Sequence, residues 1–216
     1  MKKKLYVVGG NVGYANWLQD MGMELCYNRN EANIALFTGG ADWQPHLYGE
    51  KVGRYTSSYP QRDSMELLAY EYFLGKGIPM IGTCRGGQLF TFKAGGRLVQ
   101  DSSHPHHHPM ITSDGEKMQI NSLHHQQFLL EGCSSHILLG WSERLSPYHL
   151  DGNNIDYNFP ADYKEPELVY FKETKCLAIQ CHPEMLGECR ALTYFKECVS
   201  KYILQEEPKK KTEFVY

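Results

Sequence analysis

The stretch Ile78-Pro79-Met80-Ile81-Gly82-Thr83-Cys84-Arg85-Gly86 decides the fold. A short apolar run ends in Gly-Thr-Cys-Arg-Gly and passes into a helix-compatible segment, Gln88 to Lys93. This is the cysteine form of the G-x-S-x-G nucleophile elbow, in which a strand turns sharply into a helix. Flanking glycines suit it because a nucleophile on so tight a turn has strained dihedrals and a neighbouring Cβ would clash. The helix N-terminus favours negative charge, so the thiol is expected to shift toward thiolate. The same residues also suit a buried core cysteine beside a Gly-rich turn.

A second motif favours the catalytic reading. Leu177-Ala178-Ile179-Gln180-Cys181 is strand-like and ends in His182-Pro183-Glu184. The residue before a proline is pushed toward extended geometry. Side chains two apart in extended chain share a side, so His182 and Glu184 are expected to face one partner. A nucleophile needs a base, and the base needs an acceptor that fixes its tautomer; Cys84, His182 and Glu184 supply those roles. Cys181, next to the base, is expected to point to the opposite face and pack in the core.

Elbow, Gln88 and the later Cys181-His182-Pro183-Glu184 together resemble the class I glutamine amidotransferase-like superfamily. Further segments resemble its γ-glutamyl hydrolase branch, peptidase family C26, which includes γ-glutamyl-γ-aminobutyrate hydrolases. These are Phe37-Thr38-Gly39-Gly40-Ala41-Asp42 with Pro45 and Leu47-Tyr48-Gly49-Glu50, then Arg62-Asp63-Ser64-Met65-Glu66. Ala94-Gly95-Gly96-Arg97-Leu98-Val99-Gln100-Asp101 and Asn121-Ser122-Leu123-His124-His125-Gln126 follow in the family's order. The resemblance implies a flavodoxin-like, three-layer α/β fold, with a mostly parallel central sheet and helices on both faces. It implies cysteine-dependent hydrolysis of a γ-glutamyl amide, glutamine or a γ-glutamyl amine, through a thioester on Cys84. His182 would shuttle the proton and Glu184 would orient it. Backbone N–H groups of Gly40 and Arg85 would cradle the oxyanion, with Gly39 allowing close approach. Gln88, Ser122 and His124, preferred over His125, would bind the glutamyl group with Gly39. No cofactor is implied. Two other readings stand beside this one: a glutaminase subunit supplying ammonia to a separate synthetase, and a non-catalytic His-rich metal-binding module.

Composition narrows the classes. The 216 residues suit one domain, expected over 1–205, with a flexible tail over 206–216 that holds Pro208 and Lys209-Lys210-Lys211. A net charge of −3 gives no electrostatic footprint for nucleic acid, and no apolar run is long enough for a membrane span. Seven cysteines without a small disulfide framework point to a reducing, cytoplasmic setting. The expected partner is a small γ-glutamyl substrate; nothing in the composition specifies an oligomeric state.

Short β-type runs alternating with amphipathic stretches predict strands at Leu5–Val8, Ile34–Phe37 and Ile78–Ile81. Helices are predicted at Ala15–Met21, Asp63–Gly75, Gln88–Ala94 and Glu188–Leu204. The second of these carries an apolar stripe of Met65, Leu67, Leu68, Tyr72 and Phe73. Antiparallel strands are expected at Lys117–Ile120 and Ile137–Trp141, and a hairpin at Leu168–Phe171 and Cys176–Gln180. Residues 142–166 read as a surface loop near the site. Only a short span separates the first strand from Thr38-Gly39-Gly40, so one early strand–helix element is expected to be short. Gly9-Gly10-Asn11-Val12-Gly13 departs from G-x-G-x-x-G and reads as a tight turn. The Arg85 side chain is expected near the site's mouth or in solvent. Arg62, Asp63 and Glu66 suit an internal salt bridge or substrate contact equally. His104, His106, His107 and His108 read as an extended, surface-like loop lacking an acidic partner, rather than as a metal site.

Overall fold

The computed structural model describes residues 2–102, 105–143, 148–149 and 162–205. In chain order, β1 (Lys4–Val8) leads through a 3₁₀ turn into α1 (Asn16–Gln19), β2 (Glu24–Cys26) and β3 (Ile34–Phe37). After a long loop come α2 (Pro60–Gly75), β4 (Met80–Thr83) and α3 (Arg85–Lys93). The middle of the chain holds β5 (Arg97–Val99), β6 (Asp101–Ser102), β7 (His107–Thr112), β8 (Lys117–Asn121), β9 (Gln127–Leu129), β10 (His136–Glu143) and β11 (Tyr148–His149). β12 (Lys164–Phe171), β13 (Cys176–Ile179) and α4 (Arg190–Cys198) complete it, α4 running on into a π-helical turn, Val199–Leu204.

Nine strands form one sheet in the order β2-β1-β3-β4-β13-β12-β10-β7-β8. From β2 to β13 all neighbours are parallel; from β13 to β8 they are antiparallel. The parallel half is buried on both faces, which is why β3, β4 and β13 read as continuous apolar runs. Alternation still sorts their side chains. Leu5, Ile34, Leu36, Ile81 and Leu177 pack with Trp17 and Leu18 of α1 and Leu192 and Phe195 of α4. Ala35, Phe37, Met80 and Ala178 pack with Tyr70 and Phe73 of α2 and Leu89 and Phe90 of α3. Helices therefore cover both faces, giving the expected three layers. α1 is only four residues long, the short early element anticipated from the spacing.

Several elements differ from expectation for identifiable reasons. α2 begins at Pro60 rather than Asp63, because proline suits the first helical position, where no backbone donor is needed. Its buried residues are Asp63, Glu66, Tyr70 and Phe73, whereas Met65 and Leu68 of the predicted stripe are exposed. Two carboxylates thus sit on the packed face of this helix. The strand before the elbow is Met80–Thr83, and α3 starts immediately after Cys84. Of the loop predicted over 142–166, β10 takes its first residues and β12 its last, with Glu165 buried. Residues 144–147 and 150–161, and the tail expected over 206–216, lie outside the described residues. His104 lies outside them too, but His108 corrects the reading of its cluster. It sits on β7, buried, with Nε2 2.9 Å from Glu167 Oε1. Burial lowers its pKa, but the hydrogen bond and charge of Glu167 raise it further, so the net shift is upward. Among the described residues, no group of three His, Cys, Asp or Glu side chains could hold a metal.

Candidate active site

Cys84 stands where β4 ends and α3 begins, with φ 51° and ψ −109°, outside the favoured regions for a side-chain-bearing residue. The turn holds because its neighbours are glycines. A Cβ on Gly82 would lie 2.6 Å from the Gly87 nitrogen, and one on Gly86 would lie 2.7 Å from Phe37 Cβ. The Cys84 N–H donates to the Ile179 carbonyl at 2.7 Å, tying the elbow to β13, whose end carries the histidine.

His182 Nδ1 lies 2.7 Å from Glu184 Oε1. The contact is not made along a strand, as the spacing predicts, because Pro183–Met185 is a 3₁₀ turn that carries Glu184 back beneath the ring. Burial opposes charge on His182, but hydrogen bonds with Cys84 and Glu184, and the charges of both, overcome it and raise the pKa to about 10. Folding therefore places the imidazole against Glu184 and within the electrostatic reach of Cys84. Cys181 is buried in the core as expected, its thiol pushed well up chiefly by burial.

Three residues support His182, and two of them, Asn121 and Tyr14, have no role in the sequence analysis. Asn121 brackets its backbone: Asn121 Nδ2 donates to the His182 carbonyl at 2.9 Å, and the His182 N–H donates to Asn121 Oδ1 at 2.7 Å. Asn121 lies inside a quoted motif, so only its role was missed. The ring of Tyr14 leans on the imidazole at 5.9 Å between centroids. Burial, then the charges of Glu184 and Cys84, push the Tyr14 hydroxyl up to about 12. No local pattern marks Tyr14, which follows a Gly-rich turn. Gly39 completes the support: a Cβ there would lie 2.8 Å from both His182 Cε1 and Tyr14 Oη. Gly39→Ala is accordingly expected to displace the imidazole and lower turnover about 100-fold, since small misplacements of reacting groups cost that much. Steady-state rates beside a melting curve check it; a folded variant with full turnover would contradict it.

A cavity of about 230 Å³ opens beside Cys84, lined by Gly40, Ala41, Asp42, Ser57, Gln88, Leu123, His124, His125 and Gln126. Gly40 has φ 152°, a conformation strained for any residue with a side chain. Gln88, one turn into α3, donates to the Gln126 carbonyl at 3.0 Å. Ser122–Gln126 is a loop between β8 and β9, so the strand-based choice between the two histidines does not apply and both line the cavity. His125 Nε2 lies 3.0 Å from Asp42 Oδ2, and its Nδ1 lies 3.7 Å from Asp101 Oδ1. The hydrogen bond to Asp42 raises its pKa over the opposing effect of burial. Ser122 does not line the cavity; it is buried, and its Oγ has no partner among the described residues.

The Arg85 side chain is neither at the mouth nor solvated but fully buried. It reaches Asp63 at 2.6 Å and Glu66 at 2.9 Å, and lies 3.8 Å above the Trp43 ring. Arg62 pairs with Glu66 at 2.6 Å and donates to the Gly39 carbonyl at 2.8 Å. Of the two roles open to Arg62, Asp63 and Glu66, these contacts make them an internal ion-pair network.

The peptidase C26 family model matches residues 30–116. A glutamine amidotransferase-like protein of Lactococcus lactis subsp. lactis, YvdE, is 34% identical over 176 residues, covering 71% of this chain and 66% of that protein. A homolog from Lactococcus lactis subsp. cremoris is 34% identical over 42% of this chain and 61% of its own. The chain thus spans just under two thirds of the length of these curated relatives. Among solved structures, PurLQS of Thermotoga maritima superposes with a TM-score of 0.58 at 15% identity, covering 95% of this chain and 99% of that one. A glutamine amidotransferase of the same organism gives 0.57 at 13% identity over 94% and 84%. At such identities these likenesses speak for the fold alone. The chain therefore carries a peptidase C26 match over residues 30–116, is similar in sequence to glutamine amidotransferase-like proteins, and shares its α/β fold with class I glutamine amidotransferases.

Proposed function

We propose that the protein hydrolyses a γ-glutamyl amide, glutamine or a γ-glutamyl amine, through a thioester on Cys84. The observation that carries this reading is the imidazole of His182, 2.7 Å from Glu184 Oε1 and close enough to Cys84 for that thiol to raise its pKa, beside a cavity that Cys84 lines. Nδ1 engages Glu184, which leaves Nε2 for the sulfur. The thiolate attacks the γ-carbonyl carbon, and the C=O electron pair moves onto oxygen. N–H groups of Arg85 and Gly40 receive that oxyanion, each such donor contributing about 3 kcal/mol in the transition state. As the C–N bond breaks, the imidazolium gives its proton to the departing amine. Water then adds to the thioester, His182 takes its proton, and glutamate leaves with the thiolate restored. Gln88 and His124 hold the glutamyl group from the cavity wall, with His125, buttressed by Asp42, beside them.

Incubation of the purified chain with glutamine and a panel of γ-glutamyl amines, following glutamate release, tests this reading. Release by the wild type alone, absent in Cys84→Ala, is expected. Equal release from both would remove the proposal, and release appearing only with an added synthetase would recast the chain as an ammonia-supplying subunit.

The imidazolium also predicts a pH effect on stability. The folded pKa of His182 lies at about 10 against an ordinary 6.5, so the folded state keeps a proton that the unfolded chain has lost. Its stabilisation is complete below pH 6.5 and lost as pH rises through 10. The Tm of the wild type minus that of His182→Gln should therefore shrink across that window. A flat difference would contradict it.

A further inference from the structure

We infer that the Arg85 guanidinium is a positioning residue that sets the distance between the two halves of the oxyanion cradle; the inference rests on the proposed function. The two proposed donors belong to segments far apart in sequence, the elbow and the Gly39–Asp42 loop, and nothing covalent fixes their separation. Arg85 spans both. Its own backbone forms the first turn of α3 beside Cys84, while Nη1 donates to the Ala41 carbonyl at 2.6 Å and the Asp42 carbonyl at 3.0 Å. Arg62 takes the Gly39 carbonyl at 2.8 Å, so carbonyls on both sides of Gly40 are held by guanidinium groups.

Both arginines are anchored on α2. Glu66 offers Oε2 to Arg85 Nε at 2.9 Å and Oε1 to Arg62 Nε at 2.6 Å. Asp63 takes Arg85 Nη2 at 2.6 Å on one oxygen and the Gln44 N–H at 3.2 Å on the other. Trp43 closes the arrangement, with its ring against the guanidinium and its Nε1 donating to the Arg85 carbonyl at 2.8 Å. A planar fork can satisfy two carboxylates and two carbonyls at once; an ammonium on the same stem cannot. A buried cation used only for stability would have no need to reach the loop that carries a proposed donor.

Arg85→Lys keeps the charge but loses the fork. The probes are γ-glutamyl-p-nitroanilide for turnover and iodoacetamide for the thiolate, because alkylation develops no oxyanion. For Arg85→Lys, kcat should fall about 30- to 100-fold, with KM and the Cys84 alkylation rate within about threefold of wild type. A triple variant, Arg85→Met with Asp63→Asn and Glu66→Gln, removes the buried charges together and should show the same split. The inference is overturned if either folded variant keeps wild-type kcat, or if alkylation falls in proportion to kcat. It is equally overturned if neither variant folds, which would assign the network to folding alone. A wild type inactive on γ-glutamyl compounds, with Cys84 still alkylated, would instead withdraw the proposed function and this inference with it.

Discussion

Cys84→Ala is expected to lower glutamate release by about 10⁴-fold or more, because in the proposed mechanism both the attack and the second half-reaction pass through the sulfur. Only the cradle and the binding residues would remain, and they have no nucleophile to serve. Stability should move the other way when the side chain is removed altogether. Cys84 holds φ 51° and ψ −109°, a conformation that costs a residue with a Cβ about 1–3 kcal/mol and glycine far less. After allowance for the extra freedom of glycine in the unfolded chain, Cys84→Gly should be inactive yet more stable by roughly 1 kcal/mol. Turnover and chemical denaturation on the same samples check both halves. A Cys84→Gly protein less stable than the wild type would show that the bend carries no strain.

Arg85→Ala should be the most destabilising single change in the site. The guanidinium is fully buried between Asp63 and Glu66, themselves almost wholly buried, and stacks on Trp43. Removing one partner strands buried carboxylates, which costs about 3–5 kcal/mol. For a chain of this size that corresponds to a Tm lower by roughly 6–20 °C. Replacing Met65 or Leu68 with alanine, on the exposed side of the same helix, should change little. Calorimetry on the three variants checks the contrast; similar melting points for all would contradict the buried placement of Arg85.

These two expectations mark different degrees of legibility. The elbow was readable because its constraint is local: a strand, a bend that needs glycine on both sides and a helix start lie within one short stretch. His182-Pro183-Glu184 was readable as a pair, but the backbone joining its members was not. Proline starts a 3₁₀ turn there, and the turn carries Glu184 to the ring. The face of α2 was misread because periodicity assigns apolar residues to the interior. Asp63 and Glu66 are interior because a cation from another helix meets them. Likewise the choice between His124 and His125 assumed a strand where the chain forms a loop.

By itself, the amino-acid sequence determined the layered α/β class, the bend that carries Cys84, and the pairing of His182 with Glu184 on which the proposed mechanism draws. Each of these is written in residues close together, where sterics of glycine and proline and the period of apolar side chains act directly. Only the tertiary structure decided which groups support them: Asn121 behind His182, Tyr14 against its ring, and Arg85 between α2 and the Gly39–Asp42 loop. The physical reason is that a buried polar group is tolerated only with a partner, and those partners come from distant segments that folding alone brings within hydrogen-bond reach.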